Sequence, residues 1–325
     1  MILVTGGAGF IGSAIVWGLN TLGITDIIIV DHLGDGDKWK NLRNLKYKDY
    51  IEKDDFYSNI HAYSNINTIF HMGACSSTIE QNLSYMIKNN FESSKILAKF
   101  AASKNIQFIY ASSAATYGES NIFLDDLSGL NSLKPLNKYG YSKHMFDRWL
   151  VENGFFSKGK IVGLKFFNVY GPNEYHKGNM RSFILKGFEQ IKKDGKLELF
   201  SNALTCKRDF IYIKDVVDVT LFFLNRMAVS GIYNIGSGEA ATWHDVAYNI
   251  VLACDPTLRK FPYLINDFYK LIDMPDTISN QYQKFTQADI SKIRQAGYDK
   301  PIMNIKDAIQ DYIDNYLKKT KFLGD

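Results

Sequence analysis

Tyr139 and Lys143 stand four residues apart in Tyr139-Gly-Tyr-Ser-Lys143, a stretch that reads as a helix through Leu150. Side chains four apart project from one helical face. A lysine beside a tyrosine lowers the phenol's proton affinity and makes it an acid/base group for a hydroxyl or carbonyl substrate. Ser113 and Thr116, in Ser112-Ser-Ala-Ala-Thr-Tyr-Gly118, are spaced to hydrogen-bond the same oxygen. Tyr-x-x-x-Lys occurs by chance in many helices, so its weight depends on what precedes it.

What precedes it is a phosphate-binding turn. Met1–Thr5 is apolar and reads as a buried strand. It runs into Gly6-x-x-Gly9-x-x-Gly12 and then a helical pattern from Phe10 to Leu22. Strand, glycine turn and helix form the context in which such a triplet means dinucleotide binding. Gly6 serves the turn, Gly9 the approach of backbone N–H groups to a pyrophosphate, and Gly12 the packing of helix on sheet. A second strand, Asp26–Val30, ends at Asp31, where an acidic side chain meets the adenosine ribose. Asp31 favours NAD. Lys38 and Lys53 can receive a 2′-phosphate and favour NADP, although Lys38 alone reads as a surface charge. Further strands are expected at Ile66–Phe70, Gln107–Ala111 and Lys160–Phe167, and a single long helix over Asn82–Lys104. His71 reads as a core histidine, and Asn89 as a partner for backbone or cofactor. After Asn168-Val-Tyr-Gly-Pro172 the repeating α/β pattern stops.

The expected fold is therefore α/β: a Rossmann-type, doubly wound parallel sheet with a smaller C-terminal substrate-binding domain. The first domain spans 1–167, with a return at about 209–235; the second takes 168–208 and 236–325. The 325 residues suffice for one large domain or two ordinary ones. A net charge of +4 without charge blocks suits a small anionic ligand and gives no argument for nucleic acid. No apolar run is long enough to span a bilayer and the N-terminus opens on a strand, so the chain reads as cytoplasmic. Cys75, Cys206 and Cys254 are odd in number and far apart, which argues against disulfides or a metal site.

With these pieces placed, the chain resembles the extended short-chain dehydrogenase/reductase superfamily over nearly its whole length. The shared pieces are the glycine triplet, Asp31, Ser113, Tyr139-x-x-x-Lys143, Asn168-x-Tyr-Gly-Pro172, Arg208-Asp-Phe210 and Asn234-Ile-Gly236. Longer runs are similar to the ADP-L-glycero-D-manno-heptose 6-epimerase family within it. They include Asp31-His-Leu-Gly-Asp-Gly-Asp-Lys38, Gly73-Ala-Cys-Ser-Ser-Thr78, His176-Lys-Gly178, Phe285-Thr-Gln-Ala-Asp289 and Ala296-Gly-Tyr-Asp-Lys-Pro301.

The resemblance implies inversion of a nucleotide-activated heptose at carbon 6 by transient oxidation, a step toward the lipopolysaccharide inner core. It implies bound NADP, with NAD the alternative, and a homo-oligomer, often a pentamer. It implies acid/base roles for Tyr139 and Lys177, because the reacting oxygen lies in a different place in each half-reaction. From spacing alone Lys177 reads as a solvated loop lysine beside Gly178. It further implies that Lys143 binds the nicotinamide ribose and that Ser113 orients the oxygen. Cofactor contacts carry over to Phe10, Ile11, Asp31, His32, Lys38, Lys53, Met72, Gly73, Ala74, Cys75, Ser76, Asn89, Val169 and Lys177. Contacts to the ADP-sugar carry over to Asn168, Asn179, Lys186, Phe200, Ser201, Asn202, Ala203, Arg208 and Tyr282. Arg208 can grip a diphosphate bidentately, or instead pair with Asp209. Met72, Asn179, Lys186 and the 201–203 turn depart from the family pattern.

A 4-epimerase of the same fold is harder to set aside than a dehydratase. Dehydratases carry an Asp-Glu pair where this chain has Ala114-Ala115. A non-catalytic dinucleotide sensor would have no need of Tyr139, Lys143 and Ser113 together.

Overall fold

Short apolar segments bounded by turns build the main sheet, and a computed structural model describes it for all residues except Gly159, Met227 and 276–282. In chain order the strands are β1 (Ile2–Thr5), β2 (Ile27–Asp31), β3 (Asp49–Glu52), β4 (Thr68–His71), β5 (Gln107–Ser113) and β6 (Ile161–Phe166). They continue with β7 (Asn168–Tyr170), β8 (Leu197–Phe200), β9 (Lys207–Tyr212), β10 (Gly231–Ile235), β11 (Ala240–Thr242) and β12 (Tyr269–Ile272). Seven of them form a parallel sheet in the order β10-β6-β5-β4-β1-β2-β3. This is the doubly wound fold expected. Its strands are apolar throughout because both faces are covered. Val4, Ile27, Ile29 and Phe70 face one core layer, and Leu3, Ile28, Ile69 and Phe108 the other.

The strand order reverses beside β1, between β2 and β4, and the crevice above that point is where such sheets bind ligands. Here the chain fixes two glycines against each other. Gly6 has φ +65°, and a Cβ on it would lie 2.6 Å from both the N and Cα of Gly73. A Cβ on Gly12 would lie 2.1 Å from the Gly6 carbonyl oxygen, so the helix Phe10–Thr21 can seat only on glycine.

The expected helix over 82–104 is present as a run from Leu83 to Ser103, but with a π-helical turn at Ile87–Glu92 in its middle. Such wide turns recur at functional sites, and this one carries Asn89 and Asn90. The helix Lys138–Glu152 starts because Asn137 caps it, its side chain accepting from the Gly140 N–H at 2.8 Å. A cap of this kind contributes about 1 kcal/mol, and it sets Tyr139 in the first turn.

After β6 the chain builds two small sheets, β11-β9-β7 and β12-β8. β9, with Asp209, therefore belongs to a small sheet. The helix Ile213–Phe222 packs on the Phe10–Thr21 helix where a Cβ on Gly18 would meet Val217, and β10 then adds to the main sheet beside β6.

Candidate active site

Two cavities and a cleft meet around the glycine turn. The first cavity, about 160 Å³, is lined by Gly6, Asp31, His32, Lys38, Lys53, Gly73, Cys75 and Asn89 among others. The second, about 410 Å³, takes Gly6, Gly9, Phe10, Ile11, Gly12, Met72 to Ser77 and Lys177. The neighbouring cleft, about 520 Å³, is lined by Asn168, Val169, Lys177, Arg181, Lys186, Phe200, Phe210 and Trp243, with others. Lys177 borders both the second cavity and the cleft. A wider, open concavity of about 920 Å³ near Trp39 and Tyr50 carries none of these acid/base groups.

In the first cavity, the Asp31 carboxylate is already engaged. It accepts from the Ala8 N–H (2.9 Å), the His32 N–H (2.7 Å) and the Lys38 ammonium (2.8 Å). The acidic residue and the lysine that pulled opposite ways in the sequence are thus an ion pair. Lys53 donates to Asn89 Oδ1 at 3.0 Å on the same cavity wall, and exposed His32 pairs with Glu52.

Tyr139, Ser113 and Lys143 gather behind Cys75. Burial pushes the Tyr139 phenol above its ordinary range, and a hydrogen bond with Ser113 pulls it back. The charge of Lys143 was expected to depress that phenol. Instead the Lys143 ammonium donates to the Ala111 carbonyl at 2.9 Å, and burial pushes its own pKa down to about 8. Thr116, the other hydroxyl singled out by sequence, turns away: it donates to the Ser113 carbonyl and accepts from Lys165 at 2.6 Å.

Lys177 is not the solvated loop lysine that spacing alone suggests. It is half-buried, with its ammonium 5.0 Å from the centre of the Phe10 ring. Burial lowers its proton affinity, which Glu174 raises and Lys186 lowers again. Lys186 in turn is lowered by burial and by Arg181. Three cations therefore line one cleft, an arrangement suited to a diphosphate.

The substrate contacts implied by resemblance scatter more than the cofactor contacts. Asn168, Lys186 and Phe200 line the cleft. Asn179 is exposed beside it and accepts from Lys186 through its carbonyl at 2.6 Å. Ser201, Asn202 and Ala203 form the turn after β8, with Ala203 buried. Arg208 is buried and outside the cleft lining. Asp209 is held by N–H groups of Ser237, Gly238 and Ala288. Tyr282 lies outside the described residues.

Several site residues escaped the sequence. Asn90 is fully buried; it accepts from the Cys75 N–H and donates to the Cys75 carbonyl and to Ser142 Oγ, joining the Met72–Ser76 loop to the helix of Tyr139. The Asn41 amide reaches the Ala8 carbonyl (2.9 Å), the Asn173 carbonyl (3.1 Å) and His176 Nδ1 (3.1 Å), tying the glycine turn to the Lys177 loop. Asp147 and Lys165 form a fully buried ion pair at 2.9 Å, to which Tyr110 and Ser112 donate. Arg181 and Trp243 join the cleft, and the indole nitrogen of Trp243 has no partner among the described residues.

The model of the NAD dependent epimerase/dehydratase family matches residues 2–236. An ADP-L-glycero-D-manno-heptose-6-epimerase of Fusobacterium nucleatum is 45% identical over 333 residues, covering 98% of each chain. The chain belongs to that epimerase family. A relative of the same name from Nitratidesulfovibrio vulgaris is 42% identical, again over 98% of both chains. Among solved structures, that of the Helicobacter pylori ADP-L-glycero-D-manno-heptose-6-epimerase is 28% identical, with a TM-score of 0.78 over 97% of this chain and 95% of that one. The UDP-glucuronic acid 4-epimerase of Bacillus cereus, in complex with UDP-glucuronic acid and NAD, shares the fold at 22% identity and a TM-score of 0.77, over 98% of this chain and 99% of that one.

For an epimerase of this family the cofactor is a nicotinamide dinucleotide, and the residues present fit one. The Gly6–Gly73 contact leaves backbone alone at the crevice, with no side chain where the phosphates approach the helix end. Among the described residues no helix is long and apolar enough to cross a membrane.

Proposed function

We propose that this epimerase converts ADP-D-glycero-D-manno-heptose to ADP-L-glycero-D-manno-heptose, as a cytoplasmic step toward the lipopolysaccharide inner core, with NADP as its bound cofactor. The observation that carries the reading is that Lys177 borders the cofactor cavity and the cationic cleft at once. When bound, the nicotinamide supplies the hydride acceptor and donor for a reversible oxidation without net redox change. The protein's part is to place the sugar and to move the hydroxyl proton. Tyr139, hydrogen-bonded to Ser113, takes or gives that proton in one half-reaction, and Lys177 does so in the other. Lys143 and the Met72–Ser76 loop hold the cofactor, and Asn168, Lys186 and Phe200 the ADP-sugar. NADP is supported by the Asp31–Lys38 pair, which offsets the charge of the Asp31 carboxylate on the cavity wall, and by Lys53 on the same wall. In this reading residues 1–167 bind the cofactor, 168–208 and 236–325 bind the sugar, and the chain assembles as a homo-oligomer, a pentamer by resemblance.

The test is to incubate the purified protein with ADP-D-glycero-D-manno-heptose, resolve the two epimers, and identify the nucleotide released on denaturation. No conversion, with turnover of a UDP-sugar at carbon 4 instead, would replace this reading with a 4-epimerase.

A further inference from the structure

Glu174 is fully buried and lines neither of the two cavities nor the cleft. Among the described residues, every group hydrogen-bonded to its carboxylate is a donor. Oε1 accepts from the Gly171 N–H (3.3 Å), from Ser182 Oγ (2.6 Å) and from the Tyr312 hydroxyl (3.1 Å). Oε2 accepts from the Ser182 N–H at 2.6 Å. Gly171 and Ser182 stand at the two ends of the loop that carries Lys177, so one carboxylate closes that loop on itself. Ser182 also caps the following helix, Phe183–Asp194, through the Leu185 N–H. Tyr312 ends the helix Ile305–Tyr312, so the same carboxylate draws the C-terminal part of the chain against the loop.

We propose that Glu174 is the positioning residue for Lys177, holding its loop closed through hydrogen bonds at both loop ends and placing a negative charge on the same loop three residues away. The proposal rests on the reading of Lys177 as the second acid/base group. A buried anion is tolerated only when donors and a countercharge surround it. Here four hydrogen bonds and Lys177 do so, and they oppose the upward push that burial gives the acid. Reciprocally, Glu174 restores to Lys177 part of the proton affinity that burial removes. The other charged or titratable groups around the pair are Lys186, Arg181 and Glu198 in the cleft, Glu189 beside Arg181, His176 beside Lys177, Asp31 and Lys38 across the glycine turn, and Tyr175 and Tyr312 beside Glu174. The anions among these are each paired with another cation: Asp31 with Lys38, Glu198 with Lys270 and Glu189 with Arg181. Glu174, on the loop of Lys177 itself, is the carboxylate left to act on it.

The experiment compares Glu174→Gln, Tyr312→Phe and Lys177→Met in the full chain, measuring epimerisation against pH, bound cofactor and melting temperature. Glu174→Gln keeps the size and removes the charge. We expect kcat to fall roughly tenfold or more, as displaced catalytic groups do, and the limb owed to Lys177 to move about one pH unit toward acid, with cofactor content retained. Tyr312→Phe removes one donor and leaves the charge, so kcat should fall by less, at unchanged cofactor content, with the limb in place. If Glu174→Gln is folded with kcat and limb unchanged, or loses activity only in step with melting temperature and cofactor, the proposal is overturned. If Glu174→Gln does not fold, Tyr312→Phe decides, and an unchanged kcat in that folded variant overturns it. Should Lys177→Met keep its activity, the two-base reading fails first, a result the Glu174 variant cannot mimic.

Discussion

The ammonium of Lys177 lies 5.0 Å from the centre of the Phe10 ring, so a lysine in the second half of the chain rests on the first turn of the helix that follows the glycine turn. That contact sets Lys177 on the wall shared by the cavity at the glycine turn and the cleft beside it. It also shows why a loop lysine can be desolvated: one side is an aromatic ring, and the other a cleft lined by Lys186 and Arg181.

Tyr139→Phe and Lys177→Met should each slow epimerisation by about a hundredfold or more, within the range general acid/base groups contribute, which is roughly 2.7 kcal/mol of barrier. Turnover of purified ADP-heptose, with bound nucleotide quantified in parallel, checks this. Retained activity in Lys177→Met beside a dead Tyr139→Phe would leave a one-base enzyme.

Gly6→Ala should abolish cofactor retention. The residue would need φ +65° and would press its Cβ to 2.6 Å from Gly73. The left-handed backbone alone costs an alanine roughly 1–2 kcal/mol. A lowered melting temperature and an empty nucleotide extract are the expected results; normal cofactor content would mean that the two turns can separate freely.

Lys38→Ala should shift cofactor preference toward NAD by about tenfold, or roughly 1.4 kcal/mol. It uncovers the charge of Asp31 at the same time as it removes a cation. Competition between NADP and NAD on stripped protein measures the ratio. Recovery of NAD alone from the wild type would reject the premise.

His71 predicts a pH-dependent stability. Its ring is hydrogen-bonded to Thr5 and Ser94, and burial, aided by the Lys143 charge, holds its pKa down to about 3. Between that value and the ordinary histidine range the unfolded chain binds a proton that the native one does not. Its contribution is thus fully present near neutrality and is lost as the pH falls toward 3. Asp209 and Asp215, both raised to about 6 by burial, act in the opposite sense over the upper part of that window. A variant isolates the histidine: the destabilisation caused by His71→Gln should be larger at pH 7.5 than at pH 5 in thermal melts. Equal penalties would mean that His71 titrates normally.

The parts legible in the sequence were local ones. β1, the glycine turn and its helix are contiguous, and Tyr139 and Lys143 share one helix face, so periodicity and spacing sufficed. The parts that stayed hidden are joined across long separations. Asp147 and Lys165 sit on different elements, and nothing in either segment marks a buried pair. Asn90 differs from Asn89 only by facing inward on a π-helical turn, which no periodicity of 3.6 anticipates. Spacing gives Tyr139 and Lys143 a shared face but not the acceptor of the ammonium, which is the Ala111 carbonyl.

The loop of Lys177 also depends on the last residues of this sequence. Tyr175 donates to the Lys321 carbonyl and packs its ring on Phe322, and the Leu323 N–H donates to Asn173. The contact of Gly6 with Gly73 closes without those residues, whereas the loop of Lys177 is held from beyond residue 320. A truncation that removed the last five residues would therefore loosen the lysine while leaving the backbone of the glycine turn in place.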